Sequence, residues 1–459
     1  MSKDAQKQGQ EQLENSLDTI GVTKSHKVIL ILILAGVMFD VFEQNTIGLI
    51  GPLLKEYWGI TPEKIGLLNT VTFIFAAIGR ITSGYFSDLY GRRVMLRFNI
   101  GFFAIGSVLC AISPNYGFLL FSRAVVGFGL GGEISTAVTI LSEFCSTRFR
   151  GTAVGLVNVG GGGLANMLAP AIALGVFTLI PTEGNWRYLY VTLFVPTLII
   201  FYFRKYIPES PRYLLSKGKV EETNKVLSIL SSGKLSYQGN TTPYITAQVP
   251  KIEMESRLMI WKGIFQGKLL IRTIIIGIAV SMAYGSQISV LSLMPTILVE
   301  KGLTIEKSFT FTIIMQTGSL LGAITAAWLG YYVPRKRVLM LGATLATAMA
   351  LCFAFVANSM FQVILFGAFF QFSVLLLNTT LWMYAPELYP TKFRGFGTAF
   401  ILALGSCAGS LAPIFAGKIL KFDGAYGGIP GMFTMIAIFY VILFTSVLFA
   451  QETFGKPVE

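Results

Sequence analysis

Apolar residues in this chain come in long unbroken blocks, not in the short alternation of a half-buried strand. Twelve blocks reach the roughly 20 residues needed to cross a bilayer at helical rise. They fall at about 28–50, 65–87, 94–113, 117–140, 152–180, 186–206, 272–299, 308–332, 338–357, 361–385, 396–417 and 430–450. In lipid every backbone amide must find its partner within the protein, so each block is expected to be a helix and not an open strand. The fold class is therefore an all-α polytopic membrane protein with twelve transmembrane helices, called spans 1 to 12 below. The fifth and seventh blocks are long, and Pro170 and Pro295 are the expected places for a tilt or a break.

One polar stretch between spans is long, and it divides the helices six and six. The organisation reads as a tail over 1–27, a six-helix bundle over 28–206, a linker over 207–267, a second six-helix bundle over 268–450 and a tail over 451–459. The linker carries an amphipathic pattern through Leu214, Leu215, Val220 and Leu227, which predicts short helices at the membrane surface. Ser231 to Thr246 is rich in Ser, Gly and Thr and reads as a flexible loop. The first 27 residues hold no cleavable apolar core, so span 1 is expected to serve as an uncleaved membrane signal.

The two halves carry a repeated signature. Glu143, Thr147, Arg148, Phe149, Arg150 and Gly151 recur 244 residues later as Glu387, Thr391, Lys392, Phe393, Arg394 and Gly395. A Leu-Ala-Pro follows each copy, ending at Pro170 and Pro413. A duplicated membrane half is the ordinary cause of such a repeat, and many secondary transporters are built that way. The loop between spans 2 and 3 repeats less fully: Arg92 and Arg93 map to Lys336 and Arg337, while Asp88 and Gly91 map to Tyr332 and Arg335.

Composition narrows the class. Hydrophobic residues make up 53% and charged residues 13%, and the net charge is +13. That charge needs no nucleic-acid partner, because its basic residues cluster in alternate loops, which by the positive-inside rule places both termini in the cytoplasm. A cell-membrane protein bounded by lipid, working as a monomer, is expected. Cysteines 110, 145, 352 and 407 lack paired spacing, and the one histidine, His26, precedes span 1. No disulfide framework, metal site, cofactor site or catalytic constellation is therefore expected, and an enzyme is disfavoured.

Charges deep in a span demand a reason, since each costs at least about 2.5 kcal/mol at the membrane centre. All of them belong to the first half: Asp40, Glu43, Arg80, Arg123 and Glu133. This asymmetry assigns protons to the first half and cargo to neutral groups of the second. Helical rise puts Glu43 and Arg123 at a common depth, roughly 10 Å below the outer boundary. A carboxylate beside Arg123 would lose that support when the pair opens, coupling proton uptake to conformation. A permanent structural ion pair is the alternative reading. Arg80 and Glu133 share a depth nearer the cytoplasm, and either pair across spans 2 and 4 or leave Arg80 reaching toward headgroups.

Cargo candidates are mid-span polar or aromatic residues: Gln44, Asn158, Tyr284, Gln287, Gln316, Asn378 and Trp382. Transporter sites lie near the midplane between the halves, though interhelical bonding explains each residue equally well. The glycines of span 4 and Gly160 to Gly163 read as packing surfaces.

Three motifs together resemble the major facilitator superfamily. They are G-x-x-x-D-x-x-G-R-R at Gly84, Asp88, Gly91, Arg92 and Arg93, R-x-x-x-G-x-G-x-G at Arg123, Gly127, Gly129 and Gly131, and P-E-S-P-R at 208–212. Within it, Phe39-Asp40-x-x-Glu43, Gly131-Gly132-Glu133 and Pro386-Glu387-Leu388-Tyr389-Pro390-Thr391 resemble the metabolite–proton symporter branch that includes bacterial niacin carriers. The resemblance implies import of a small organic metabolite, favouring an aromatic monocarboxylate such as nicotinate, by proton symport with alternating access. It implies proton coupling at Asp40, Glu43 and Glu133. It also implies a cytoplasmic gate of Gly84, Asp88, Gly91, Arg92, Arg93, Glu143, Arg150, Glu387 and Arg394 holding the halves together, for which topology-setting charge is the plainer alternative. Niacin-type relatives tend to carry an arginine in span 11, where this chain reads Gly405-Ser-Cys-Ala-Gly409. An anion would therefore have to use Arg123, Arg80 or hydrogen-bond donors, and neutral or cationic cargo, an uncoupled uniporter and a transporter-like sensor stay open.

Overall fold

A computed structural model describes residues 2–146, 149–182, 184–247, 263–300, 302–389, 394–422 and 427–453. The side chains of Asp88, Arg150 and Arg394 lie outside the described residues, as do Arg148, Lys392 and the linker segment 248–262.

Twelve helices long and apolar enough to cross a membrane are present among the described residues. In the first half they are Lys24–Trp58, Pro62–Tyr90, Arg92–Ala111, Tyr116–Phe144, Arg150–Leu179 and Trp186–Phe203. In the second they are Gly267–Glu300, Ile305–Tyr332, Arg335–Phe355, Met360–Glu387, Arg394–Leu420 and Gly428–Leu448. Their starts follow local chemistry. Asn115 accepts from the Phe118 amide, Thr304 from Lys307, and Ser359 forms a reciprocal box with Gln362.

Span 5 departs from the expectation of a break at Pro170. Its irregularity lies earlier, as a π-helical stretch from Val159 to Ala165 containing the four-glycine run. Here the backbone lies against Leu34, Val37 and Leu320, with no room for a β-carbon at Gly160 or Gly161. Span 7 passes through Pro295 without a break.

Two further features differ from the sequence reading. The N-terminal stretch contains a helix, Ser2–Ile20. The linker helices Pro211–Ser216 and Val220–Ser232 exist, but their apolar faces meet protein. Leu214, Leu215, Val226, Leu227 and Leu230 form one core with Leu13 and Leu17 of the N-terminal helix and with Ile29 and Ile33 of span 1. An amphipathic stripe fixes that a face must be buried and leaves open what buries it. Polar bonds complete this cap: Gln12 Oε1 accepts from the Thr246 and Ala247 amides, and the Thr23 hydroxyl donates to the Leu230 carbonyl at 2.6 Å.

The halves meet along spans 2 and 11, 5 and 8, and 1 and 7. Polar contacts join them at both ends. Away from the termini, Asn69 donates to Ser292 at 2.8 Å and Lys421 reaches Glu63 at 3.3 Å. Toward the termini, Asn158 donates to Thr379 at 2.9 Å. One cavity, lined by Asn45, Leu49, Pro170, Met294, Gln316 and Gln371 among others, has room for on the order of one water.

Candidate functional site

Span 1 supplies two carboxylates one helical turn apart. Glu43 is fully buried and ion-paired with Arg123 of span 4, whose Nε also donates to the Thr72 hydroxyl at 3.0 Å. The common depth expected of Glu43 and Arg123 is thus a contact. Asp40 is 1% exposed, and its Oδ2 is buried with no hydrogen-bond partner. The charges acting on Asp40 are Glu133, Arg204, Glu43 and Arg80.

Of the two readings left open for Arg80 and Glu133, the pair is not formed. Glu133 is paired instead with Arg204, at the end of span 6, and both side chains are fully buried. Arg204 also donates to the Leu96 carbonyl at 3.3 Å. Span 1 passes this pair at Gly36, where a β-carbon would collide with the guanidinium. Arg204 is absent from the deep charges read from the sequence, because it stands at the edge of the sixth apolar block beside the basic residues of the following loop. A signal was available, because Leu189, Leu193, Thr197, Ile200 and Arg204 follow helical spacing and form one buried stripe.

Arg80 neither pairs with Glu133 nor reaches toward headgroups. It is 2% exposed and crosses to span 11, where Nη1 donates to the Leu402 carbonyl and the Ser406 hydroxyl. The Tyr284 ring packs against Gly405, the residue before Ser406.

Four of the cargo candidates come together in two contacts on spans 7 and 10. Trp382 Nε1 donates to the Tyr284 hydroxyl at 2.9 Å, and Asn378 Nδ2 donates to Gln287 Oε1 at 2.6 Å. Asn158 bridges to Thr379, Gln316 accepts from Ser319 at 2.5 Å, and Gln44 is half-buried with no side-chain hydrogen bond among the described residues.

At the end bearing the termini, Glu143 meets Arg92 at 3.2 Å and Glu387 meets Arg335 at 3.1 Å. Each pair lies within its own half, and the side chains of the gate residues Asp88, Arg150 and Arg394 lie outside the described residues. Arg335, which the repeat aligned with Gly91, takes the part of Arg92. The structure adds a correspondence unseen in the sequence. Glu209 Oε1 accepts from the amides of Arg92 and Ser210, both at 2.9 Å, and Glu452 accepts from those of Lys336 and Thr453 at 3.1 and 3.0 Å. Each glutamate thus sits at the N-terminus of the third helix of its half, where free amides favour an anion. The two glutamates are 243 residues apart and their flanking sequences differ, which hid the match.

Burial pushes the Glu209 carboxyl above its ordinary value of 4.5, partly offset by the Ser210, Arg93 and Arg92 amides. A raised carboxylate makes the folded state bind more protons than the unfolded one, so stability increases as pH falls toward that value. Glu209→Gln, which retains an acceptor, is expected to flatten this slope. Thermal unfolding of the detergent-purified protein between pH 7 and pH 5 checks it, and an unchanged slope would count against the assignment.

Comparison with known proteins agrees with this architecture. The model of the Major Facilitator Superfamily matches residues 32–413. The niacin transporter NiaP of Acinetobacter baylyi is 27% identical over 97% of this chain and 99% of its own length. The gallate transporter of Pseudomonas putida is 25% identical, covering 90% and 88% of the two chains. The 4-hydroxybenzoate transporter PcaK of Acinetobacter baylyi is 26% identical, covering 80% and 79%. Among solved structures, the proton:xylose symporter XylE bound to 6-bromo-6-deoxy-D-glucose superposes with a TM-score of 0.75 at 18% identity, covering 95% and 98%. A partially occluded inward-open form of XylE from Escherichia coli gives 0.72 at 17% identity, covering 94% and 99%.

Proposed function

This chain belongs to the major facilitator superfamily and is a secondary transporter of a small organic solute, and we propose that it imports an aromatic monocarboxylate together with a proton. The observation that carries the reading is Asp40. Two of the buried carboxylates, Glu43 and Glu133, are each paired with an arginine, while Asp40 has no ion-pair partner among the described residues and its Oδ2 accepts no hydrogen bond. A buried carboxylate without a partner binds a proton readily, because protonation removes a charge that neither solvent nor a hydrogen bond supports. Asp40 is accordingly the proton site. The Glu43–Arg123 and Glu133–Arg204 pairs brace spans 1, 4 and 6 around it.

The cargo class rests on similarity and on four side chains of spans 7 and 10. Relatives spanning most of the chain are named for niacin, gallate and 4-hydroxybenzoate. Tyr284 and Trp382 provide aromatic surface, and Gln287 and Asn378 provide neutral hydrogen-bonding groups. Alternating access follows if the halves rock about this region, breaking Asn69–Ser292 at one end or Asn158–Thr379 at the other. With the termini cytoplasmic, protons enter from outside.

Uptake of labelled nicotinate, gallate and 4-hydroxybenzoate into proteoliposomes tests the reading. Accumulation above equilibrium under an inside-alkaline gradient is the expected result. Saturable uptake indifferent to the gradient would make the protein a uniporter instead.

A further inference from the structure

Six acidic and arginine side chains are buried among the described residues of spans 1 to 6 and the turn that ends span 6: Asp40, Glu43, Arg80, Arg123, Glu133 and Arg204. Fully ionised, their charges cancel. Four of them cancel in direct pairs, Glu43 with Arg123 and Glu133 with Arg204. The remaining two, Asp40 and Arg80, touch no opposite charge. Asp40 Oδ2 has no hydrogen-bond partner, and Arg80 has only the Leu402 carbonyl and the Ser406 hydroxyl, with its buried Nε left unmatched.

A buried guanidinium held only by neutral groups is unfavourable unless an anion compensates it. The groups whose charge bears on Arg80 are Tyr284, Cys407 and Asp40, and Asp40 alone among them is an ordinary anion at neutral pH. When Asp40 takes up a proton, that compensation disappears. The site then holds one uncompensated positive charge, at an arginine that meets Ser406 of the second half. Tyr284 accepts from Trp382, so its own O–H is available to donate outward.

We propose that Arg80 binds the carboxylate of the cargo, with Ser406 and Tyr284 completing the site. A carboxylate fits the guanidinium fork through two parallel bonds and restores the charge balance that protonation of Asp40 upsets. Empty and loaded carrier then share the same net buried charge. A carrier holding the proton alone, or the anion alone, carries an uncompensated charge through the membrane, which disfavours its crossing. Arg80 lies in span 2 and its partners in spans 7 and 11, so the bound carboxylate also ties the two halves together. This inference rests on the proton-symport reading above and adds the group that recognises the anion.

Binding to the purified full-length protein in detergent tests it, with nicotinate and 4-hydroxybenzoate as acids and nicotinamide as the neutral analogue. The wild type is expected to prefer the acids, and Arg80→Gln to lose at least about tenfold in acid affinity and with it the preference for the acids over nicotinamide. Ser406→Ala is expected to weaken the acids by roughly threefold. If Arg80→Gln does not yield folded protein by size exclusion, Arg80→Lys keeps the charge without the fork, and an intermediate loss is expected. Wild-type acid affinity in Arg80→Gln, or in Arg80→Lys and Ser406→Ala together, would overturn the assignment while leaving proton symport intact. Failure of the wild type to bind any acid would overturn both.

Discussion

Arg123→Gln is expected to destabilise the folded protein by about 3–5 kcal/mol, the loss typical when one member of a buried ion pair is removed. Glu43 and Arg123 are both fully buried, and one Glu43 oxygen already lacks a hydrogen bond. Removing the guanidinium leaves an anion with no solvent and no cation, and frees the Thr72 hydroxyl it had engaged. The companion Glu43→Gln should recover most of the loss in the double variant, because two neutral amides leave no orphaned charge. Denaturant unfolding of the wild type, both single variants and the double variant forms a cycle that isolates the coupling. A double variant as unstable as Arg123→Gln would show that the pair does not hold spans 1 and 4 as described.

Asp40→Asn is expected to abolish accumulation driven by a pH gradient, reducing it to the equilibrium level, while exchange of substrate across the membrane continues. An amide at position 40 keeps the shape and removes the proton site, and the other five buried charges then carry a constant net positive charge. Cargo can still neutralise Arg80, so the loaded carrier still crosses. Return of the empty carrier is the step that suffers, because nothing then balances Arg80. Counterflow with labelled substrate measures the first part and net uptake under a gradient the second. Retained gradient-driven accumulation in this variant would remove Asp40 from the coupling mechanism.

Much of the architecture was legible because lipid imposes a coarse rule. Blocks of apolar residues set the spans, and the duplicated Glu143 and Glu387 signatures revealed two halves. Depth along the helices found the Glu43–Arg123 contact, since rise per residue fixes depth on any two antiparallel helices. Depth could not choose among several partners at one level. Glu133 and Arg80 share a depth, yet Arg204 on span 6 lies on the side that Glu133 faces, and Arg80 points across to span 11. Which face a helix turns to which neighbour is decided by packing of the whole bundle. The same limit hid the fate of the linker helices, whose apolar stripe met the N-terminal helix and span 1. It also explains why the stretch Gly405 to Gly409 of span 11, which has no arginine of its own, is still met by one: Arg80 reaches Ser406 from span 2.

The central claim is that a proton at Asp40 and an organic anion move together. Its most direct measurement is proton flux into proteoliposomes, read as alkalinisation of a weakly buffered medium when nicotinate or 4-hydroxybenzoate is added. The wild type should raise the external pH with about one proton taken up per labelled acid, as charge balance between Asp40 and Arg80 requires, and Asp40→Asn should not. Substrate entry at the wild-type rate with no accompanying alkalinisation would contradict the account.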